Sequence, residues 1–126
     1  MPITSQIRDG LLEAFFQGDV DMEDFQSYAE HLAEIEARLA VTPDRLTDLS
    51  AGNLVQMDAD RLRRFGATRT VTVLKNKVKS AIVAPKPDQY GLARMFQTFN
   101  ENPLIEIKIF RDAPAAYAWL GHQPPA

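Results

Sequence analysis

The sequence predicts an α/β domain with the element order ββαβαβαβα and a mostly parallel five-stranded sheet, its helices packed against it. Three observations lead there. Two short alternating runs flank Asp9-Gly10, a pair suited to a tight hairpin turn because glycine accepts positive φ at little cost. Apolar residues then recur at helical spacing in stretches that alternate with strand-like runs. Strands separated by helices imply right-handed crossovers and therefore parallel neighbours, with one antiparallel strand contributed by the hairpin.

Taken in order, Ile3 to Ile7 and Leu11 to Gln17 read as the two hairpin strands. Asp19 and Asp21 offer N-caps for a first helix in which Met22, Phe25, Tyr28, Ala29, Leu32, Ile35 and Leu39 recur at helical spacing. That helix closes before Pro43. Arg45 to Ser50 alternates and is followed by Ala51-Gly52-Asn53, which predicts a third strand ending in a turn. Met57 to Phe65, opened by Asp58 and Asp60, predicts a second helix. The β-branched run Thr68 to Val73 argues for a strand instead, but a strand there leaves almost no connection before Val78, so the helix is carried to about Leu74.

Val78 to Ala84 contains the unbroken run Ala81-Ile82-Val83-Ala84, the pattern of a strand covered on both faces. Pro85 and Pro87 cannot extend its ladder, and Asp88 is placed to cap a third helix whose buried face is Leu92, Met95, Phe96 and Phe99. Ile105, Ile107 and Ile109 alternate with Glu106 and Lys108, a half-exposed strand suited to a sheet edge. Asp112, Pro114 and the run from Ala115 to Gly121 supply the cap, early proline and terminal glycine of a short last helix.

At 126 residues the chain is one domain's worth, with an ordered core over about 3–121 and a short tail over 122–126. A domain of this size buries roughly two-thirds of the surface its unfolded chain exposes. Hydrophobic residues make up 45% and charged residues 25%, too apolar for a disordered chain. The absence of cysteine excludes disulfides, thiolate nucleophiles and cysteine-based metal sites. Neither a signal-peptide pattern nor an 18-residue apolar stretch is present, which predicts a cytoplasmic protein without a transmembrane segment.

The residues that carry chemistry give little. His31 and His122 are far apart, no carboxylate spacing suggests a metal, and Ser50 has neither an evident base nor a Gly-x-Ser-x-Gly setting. Gly52, Gly66 and Gly91 stand singly, without a phosphate-binding loop or a dinucleotide fingerprint. The expectation is a protein that is not an enzyme, with no cofactor, no metal and no catalytic residue. Charge is more informative. Nine acidic residues and no Lys or Arg lie between Asp9 and Ala37, whereas seven of the 14 basic residues fall between Arg61 and Lys79. Both segments can be solvated faces. The basic one, with Arg61, Arg64, Lys75 and Lys77 as its candidate patch, can also meet an acidic partner, an anionic headgroup or the acidic helix of a second copy. The net charge of −3 and the lack of interleaved aromatics argue against nucleic acid.

The C-terminal part, "KSAIVAPKPDQYGLARMFQTF" followed by "IEIKIFRDAPAAYAWLG", resembles the SpoIIAA-like proteins, small bacterial relatives of the STAS domain that also touch the CRAL-TRIO lipid-binding group in fold. Residues 78–121 carry most of the likeness; residues 3–77 agree in element order and in Thr47-Asp48-Leu49-Ser50. The resemblance implies a single-domain SpoIIAA/STAS-like sandwich and, for most such proteins, no assigned activity. Anti-anti-sigma STAS proteins resemble one another in an Asp-x-Ser strand end and a following Asp-Ser-x-Gly turn whose serine is phosphorylated. Here Asp48-Leu49-Ser50 is present, but the turn reads Val55-Gln56-Met57-Asp58-Ala59-Asp60. Asp58 and Asp60 put fixed negative charge where a switch would add it, so no phospho-switch is expected.

Lys86, Tyr90 and Arg94 lie beyond the C-terminal end of a predicted parallel strand, where open α/β sheets place ligands, and form the candidate ligand or partner site. The function expected is a non-catalytic regulatory or protein-interaction module, acting on a protein partner or by self-association. The alternative is a binding protein for a lipid or another small anionic apolar ligand, which needs a cavity of a few hundred Å³.

Overall fold

A computed structural model describes residues 2–55, 57, 59–70, 74–100 and 102–125, with residues 65–70 described as backbone only. The elements are β1 (Ile3–Arg8), β2 (Leu11–Val20), α1 (Met22–Arg38), β3 (Arg45–Leu54), α2 (Ala59–Thr70), β4 (Val78–Val83), α3 (Pro87–Phe99), β5 (Ile105–Phe110) and α4 (Ala113–Leu120). The order ββαβαβαβα is thus the observed one. The five strands form one sheet in the order β1-β2-β3-β4-β5. The sheet is mixed: β1 pairs antiparallel with β2, and the other three pairings are parallel.

That strand order decides where the helices go. Each of the crossovers through α1, α2 and α3 steps one strand in the same direction, so right-handed connections place all three helices on one face. On that face Phe16, Leu49, Ile82 and Ile107 form a core with Ala93 of α3, and Phe25 of α1 packs against it. On the opposite face α4 covers Leu11, Leu46, Ala81 and Val83 with Ala116, Tyr117 and Leu120. That helix is eight residues long, and beyond it Lys79, Glu106 and Lys108 of the same face are exposed, which leaves this part of the sheet open.

The hairpin turn has Asp9 at φ 52° and Gly10 at φ 79°, both positive as a two-residue turn of the right twist demands. Of the two candidate caps, Asp21 caps α1: it accepts from the Asp24 amide at 2.9 Å, and Asp24 accepts from the Asp21 amide at 3.1 Å. Asp19 belongs to β2 and accepts from Asn53 Nδ2 at 2.8 Å. At its other end α4 closes on Gly121, at φ 75°, whose amide donates to Ala118 O.

Three expectations are corrected. The segment Ala51-Gly52-Asn53 is strand, not turn, and β2 likewise runs on past Gln17 to Val20. Gln17, Gly18 and Asp19 pair with Ala51, Gly52 and Asn53 beyond a bulge at Phe15–Gln17. The pairing satisfies the backbone that the glycine and asparagine suggested would turn. Second, α2 ends at Thr70, and Leu74 lies outside it; the part of the expected helix over 71–73 falls outside the described residues. Downstream, Asn76 exchanges bonds with the backbone of Thr42, accepting at 2.8 Å and donating at 3.0 Å, which fixes the approach to β4. Third, α3 begins at Pro87, so Asp88 is an acid of its first turn and not its cap.

Gly52 lies where β3 packs tightly against Phe16. A Cβ there would stand 2.8 Å from Phe16 Cβ and 3.2 Å from Leu49 O. Gly52→Ala should therefore overpack the β2–β3 contact and destabilise the fold by about 1–3 kcal/mol, read as a lower urea midpoint at unchanged slope. An unchanged midpoint would show that the two strands can separate freely.

Candidate functional site

Lys86 precedes α3, and Tyr90 and Arg94 follow on it one turn apart. Lys86 and Arg94 are exposed and Tyr90 is half-buried. The residue that joins Tyr90 is Arg111, after β5, whose guanidinium carbon lies 4.1 Å from the Tyr90 ring centroid while Nη1 donates to Pro85 O at 3.3 Å. Arg94 instead donates to Gln97 Oε1 at 3.2 Å along its own helix. The strand order has no reversal among its parallel strands, so no switch-point crevice opens beside these residues.

Beneath them lies a residue the sequence reading passed over. Gln89 is 1% exposed, and its Nε2 donates to Leu49 O at 2.7 Å and Gly52 O at 2.9 Å while Oε1 accepts the Lys86 amide at 3.1 Å. It fastens the start of α3 to the second half of β3. A polar residue just after Pro87-Asp88 reads as an exposed helix position, and only the third dimension shows it facing two carbonyls.

Asp48 and Ser50 lie within β3 and not at its end, because the strand continues to Leu54; Asp48 Oδ1 accepts the Ser50 amide at 2.9 Å. Asp58 falls outside the described residues. Asp60 is in the first turn of α2, exposed, 3.8 Å from Arg63 Nη1. The four basic residues are distributed. Arg61 and Arg64 are exposed on α2, and Lys77 is exposed before β4. Lys75, also exposed, reaches back to the acidic helix: Nζ donates to Glu36 O at 3.2 Å, Ala37 O at 3.3 Å and Leu39 O, meeting the last carbonyls of α1.

Two clusters form on the α4 face. In the first, Glu13 of β2 is fully buried and accepts from Arg8 Nε and Nη2 at 3.0 Å each, from Gln6 Nε2 at 3.1 Å and from Tyr117 Oη at 2.5 Å. Burial pushes the Glu13 carboxyl up, but the bonds from Arg8, Tyr117 and Gln6 outweigh it and hold the group below the ordinary carboxylate range. The Tyr117 phenol is pushed up, first by burial and then by its bond to the carboxylate. Arg8 also donates to Gln123 O at 2.8 Å, tying the tail to the hairpin. The signal in the sequence is a single glutamate within Leu11-Leu12-Glu13-Ala14-Phe15-Phe16.

The second cluster stands where α4 leaves the sheet open. Trp119 is half-buried, its ring 5.8 Å from Phe110, with Lys79 Nζ 5.1 Å and Lys108 Nζ 5.9 Å from its centroid. Both lysines are exposed, on neighbouring strands β4 and β5. On the other face, a cavity of about 80 Å³ lies between the sheet and α1, α2 and α3, lined by Phe25, Leu62 and Phe96 above and by Arg45, Thr47 and Ser80 from the strands. Arg45 Nη2 is 2.8 Å from Glu36 Oε1, and both side chains are about 5% exposed.

Among the described residues no three His, Cys, Asp or Glu side chains are grouped to hold a metal ion. No helix among them is long and apolar enough to cross a membrane. No family model matches the chain, and no curated protein matches it. Among solved structures it is similar to an uncharacterised protein of the DUF3478 family from Shewanella loihica PV-4, described as having a SpoIIAA-like fold. The two share 20% sequence identity over 94% of this chain and 91% of that one, with a TM-score of 0.61. The mixed five-stranded sheet and four helices of this chain are therefore a SpoIIAA-like fold.

Proposed function

We propose that the protein is a non-catalytic regulatory or interaction module of the SpoIIAA/STAS type, without a phospho-switch, that meets an acidic protein surface through Trp119, Phe110, Lys79 and Lys108. The observation that carries this reading is the half-buried tryptophan between two exposed lysines on the open part of the sheet. Tryptophan is the side chain most enriched among residues that dominate binding energy, and flanking cations add steering and discrimination against wrong partners. A distinct partner is favoured over a second copy. The acidic helix α1 packs on the opposite face of the sheet, so pairing it with this surface would be head-to-tail and would propagate instead of closing.

The alternative, a lipid or other anionic apolar ligand, has less support: the apolar cavity, at about 80 Å³, is well short of the ~300 Å³ at which drug-sized pockets begin, and the roomier cleft of about 410 Å³ beside Lys77, Lys79, Leu104 and Glu106 is lined as much by polar as by apolar groups. A photoreactive amino acid in place of Lys108 should cross-link one discrete protein in the host cell, and the same group in place of the exposed Gln26 of α1 should not. Equal cross-linking from both positions, or from neither, would remove this surface as the interface.

A further inference from the structure

The cavity on the three-helix face has polar groups where a sheet packed under helices would ordinarily be apolar. Arg45 and Ser80 are register partners on β3 and β4, and Thr47 follows Arg45 on the same face; all three line the cavity. Burying such groups costs free energy that an aliphatic row would not. The surroundings are mostly apolar, with Phe25 and Leu32 from α1, Leu62 from α2 and Phe96 from α3, although Tyr28 and Asn100 also line the cavity.

We propose that this cavity binds a small uncharged molecule with an apolar body and one hydroxyl, amide or carbonyl group. The body lies against Phe25, Leu62 and Phe96, and the polar group meets the Arg45–Ser80 row. The class follows from charge and size. Arg45 is the one charged side chain of the lining among the described residues, and the buried Glu36 carboxylate already pairs with it at 2.8 Å, so the site has no net charge to offer. A carboxylate entering it would be an uncompensated buried ion. At about 80 Å³ the cavity is about half the ~150 Å³ that accepts benzene in an apolar core, which selects a short chain over a lipid tail. This site is on the opposite face from the interaction surface proposed above and stands or falls separately from it.

The test is a pair of probes of equal length, ethanol and acetate, titrated into the full chain and followed by backbone amide chemical shifts. Saturable shifts at Leu49, Ala93 and Ile107 with ethanol, and none at the same concentration of acetate, are expected. Ala93→Leu, which fills the cavity from α3, should abolish the response. Because that variant can unfold, Ser80→Ala provides a second arm: it preserves shape and should weaken ethanol by about fivefold through loss of one hydrogen bond. No saturable shift with ethanol, equal shifts with acetate, or unchanged affinity in Ser80→Ala would overturn the proposal.

Discussion

Replacing Glu13 by alanine should cost the fold roughly 3 kcal/mol, because it removes a fully buried carboxylate that gathers Arg8, Gln6 and Tyr117 around it. The loss falls on α4 and on the tail, so urea denaturation should show a lower midpoint and amide exchange should show α4 opening first. The same group sets the acid limb of stability. Its carboxyl is held below the value it has in the unfolded chain, so the stabilisation is fully present above the unfolded carboxylate range. It is lost as pH falls through the lower folded value. Tyr117 acts at the other end: a phenol pushed up keeps its contribution below the ordinary tyrosine range, and loses it as pH rises beyond that range. Glu13→Gln should therefore be less stable than the parent near neutrality and should flatten the decline below about pH 4.5. A variant with the parent's acid profile would mean that other carboxylates set it.

Gln89→Leu should destabilise by roughly 2–4 kcal/mol, although leucine is close in size and a better helix former in isolation than most polar residues. The substitution strands the carbonyls of Leu49 and Gly52 and the amide of Lys86 in a place where the side chain is 1% exposed. Gln89→Glu keeps the acceptor for Lys86 but presents negative charge to two carbonyls, and should be worse than leucine. Equal stability of Gln89→Leu and the parent, measured by thermal and urea unfolding, would show that water replaces the glutamine.

Element order was legible because local rules and tertiary structure agree over most of the chain. Asp9-Gly10 makes the turn its dihedral preference predicts, Asp21 and Asp24 cap α1 reciprocally, and the Ala81 to Val83 run is the covered interior strand its composition implies. The failures share one cause. Whether Gly52 turns or pairs depends on Gly18 lying opposite it in register. Whether Gln89 is solvated or buried depends on β3 reaching Leu54. Neither is written in the neighbouring residues. The candidate site was less legible for the same reason: Tyr90 meets Arg111 instead of Arg94, Lys75 faces the end of α1, and Lys79, Lys108 and Trp119 converge only because β4, β5 and α4 do. A basic run counted along the chain is not a basic surface.

The claim that the open part of the α4 face is an interaction surface is tested most directly by native mass spectrometry of the protein gently isolated from its own host, beside the charge-reversed variant Lys79→Glu/Lys108→Glu. The parent should carry an added mass of protein size that disappears on denaturation, and the variant should fly without it at unchanged melting temperature. A partner-free parent, or a partner retained by the variant, would contradict the assignment of this surface.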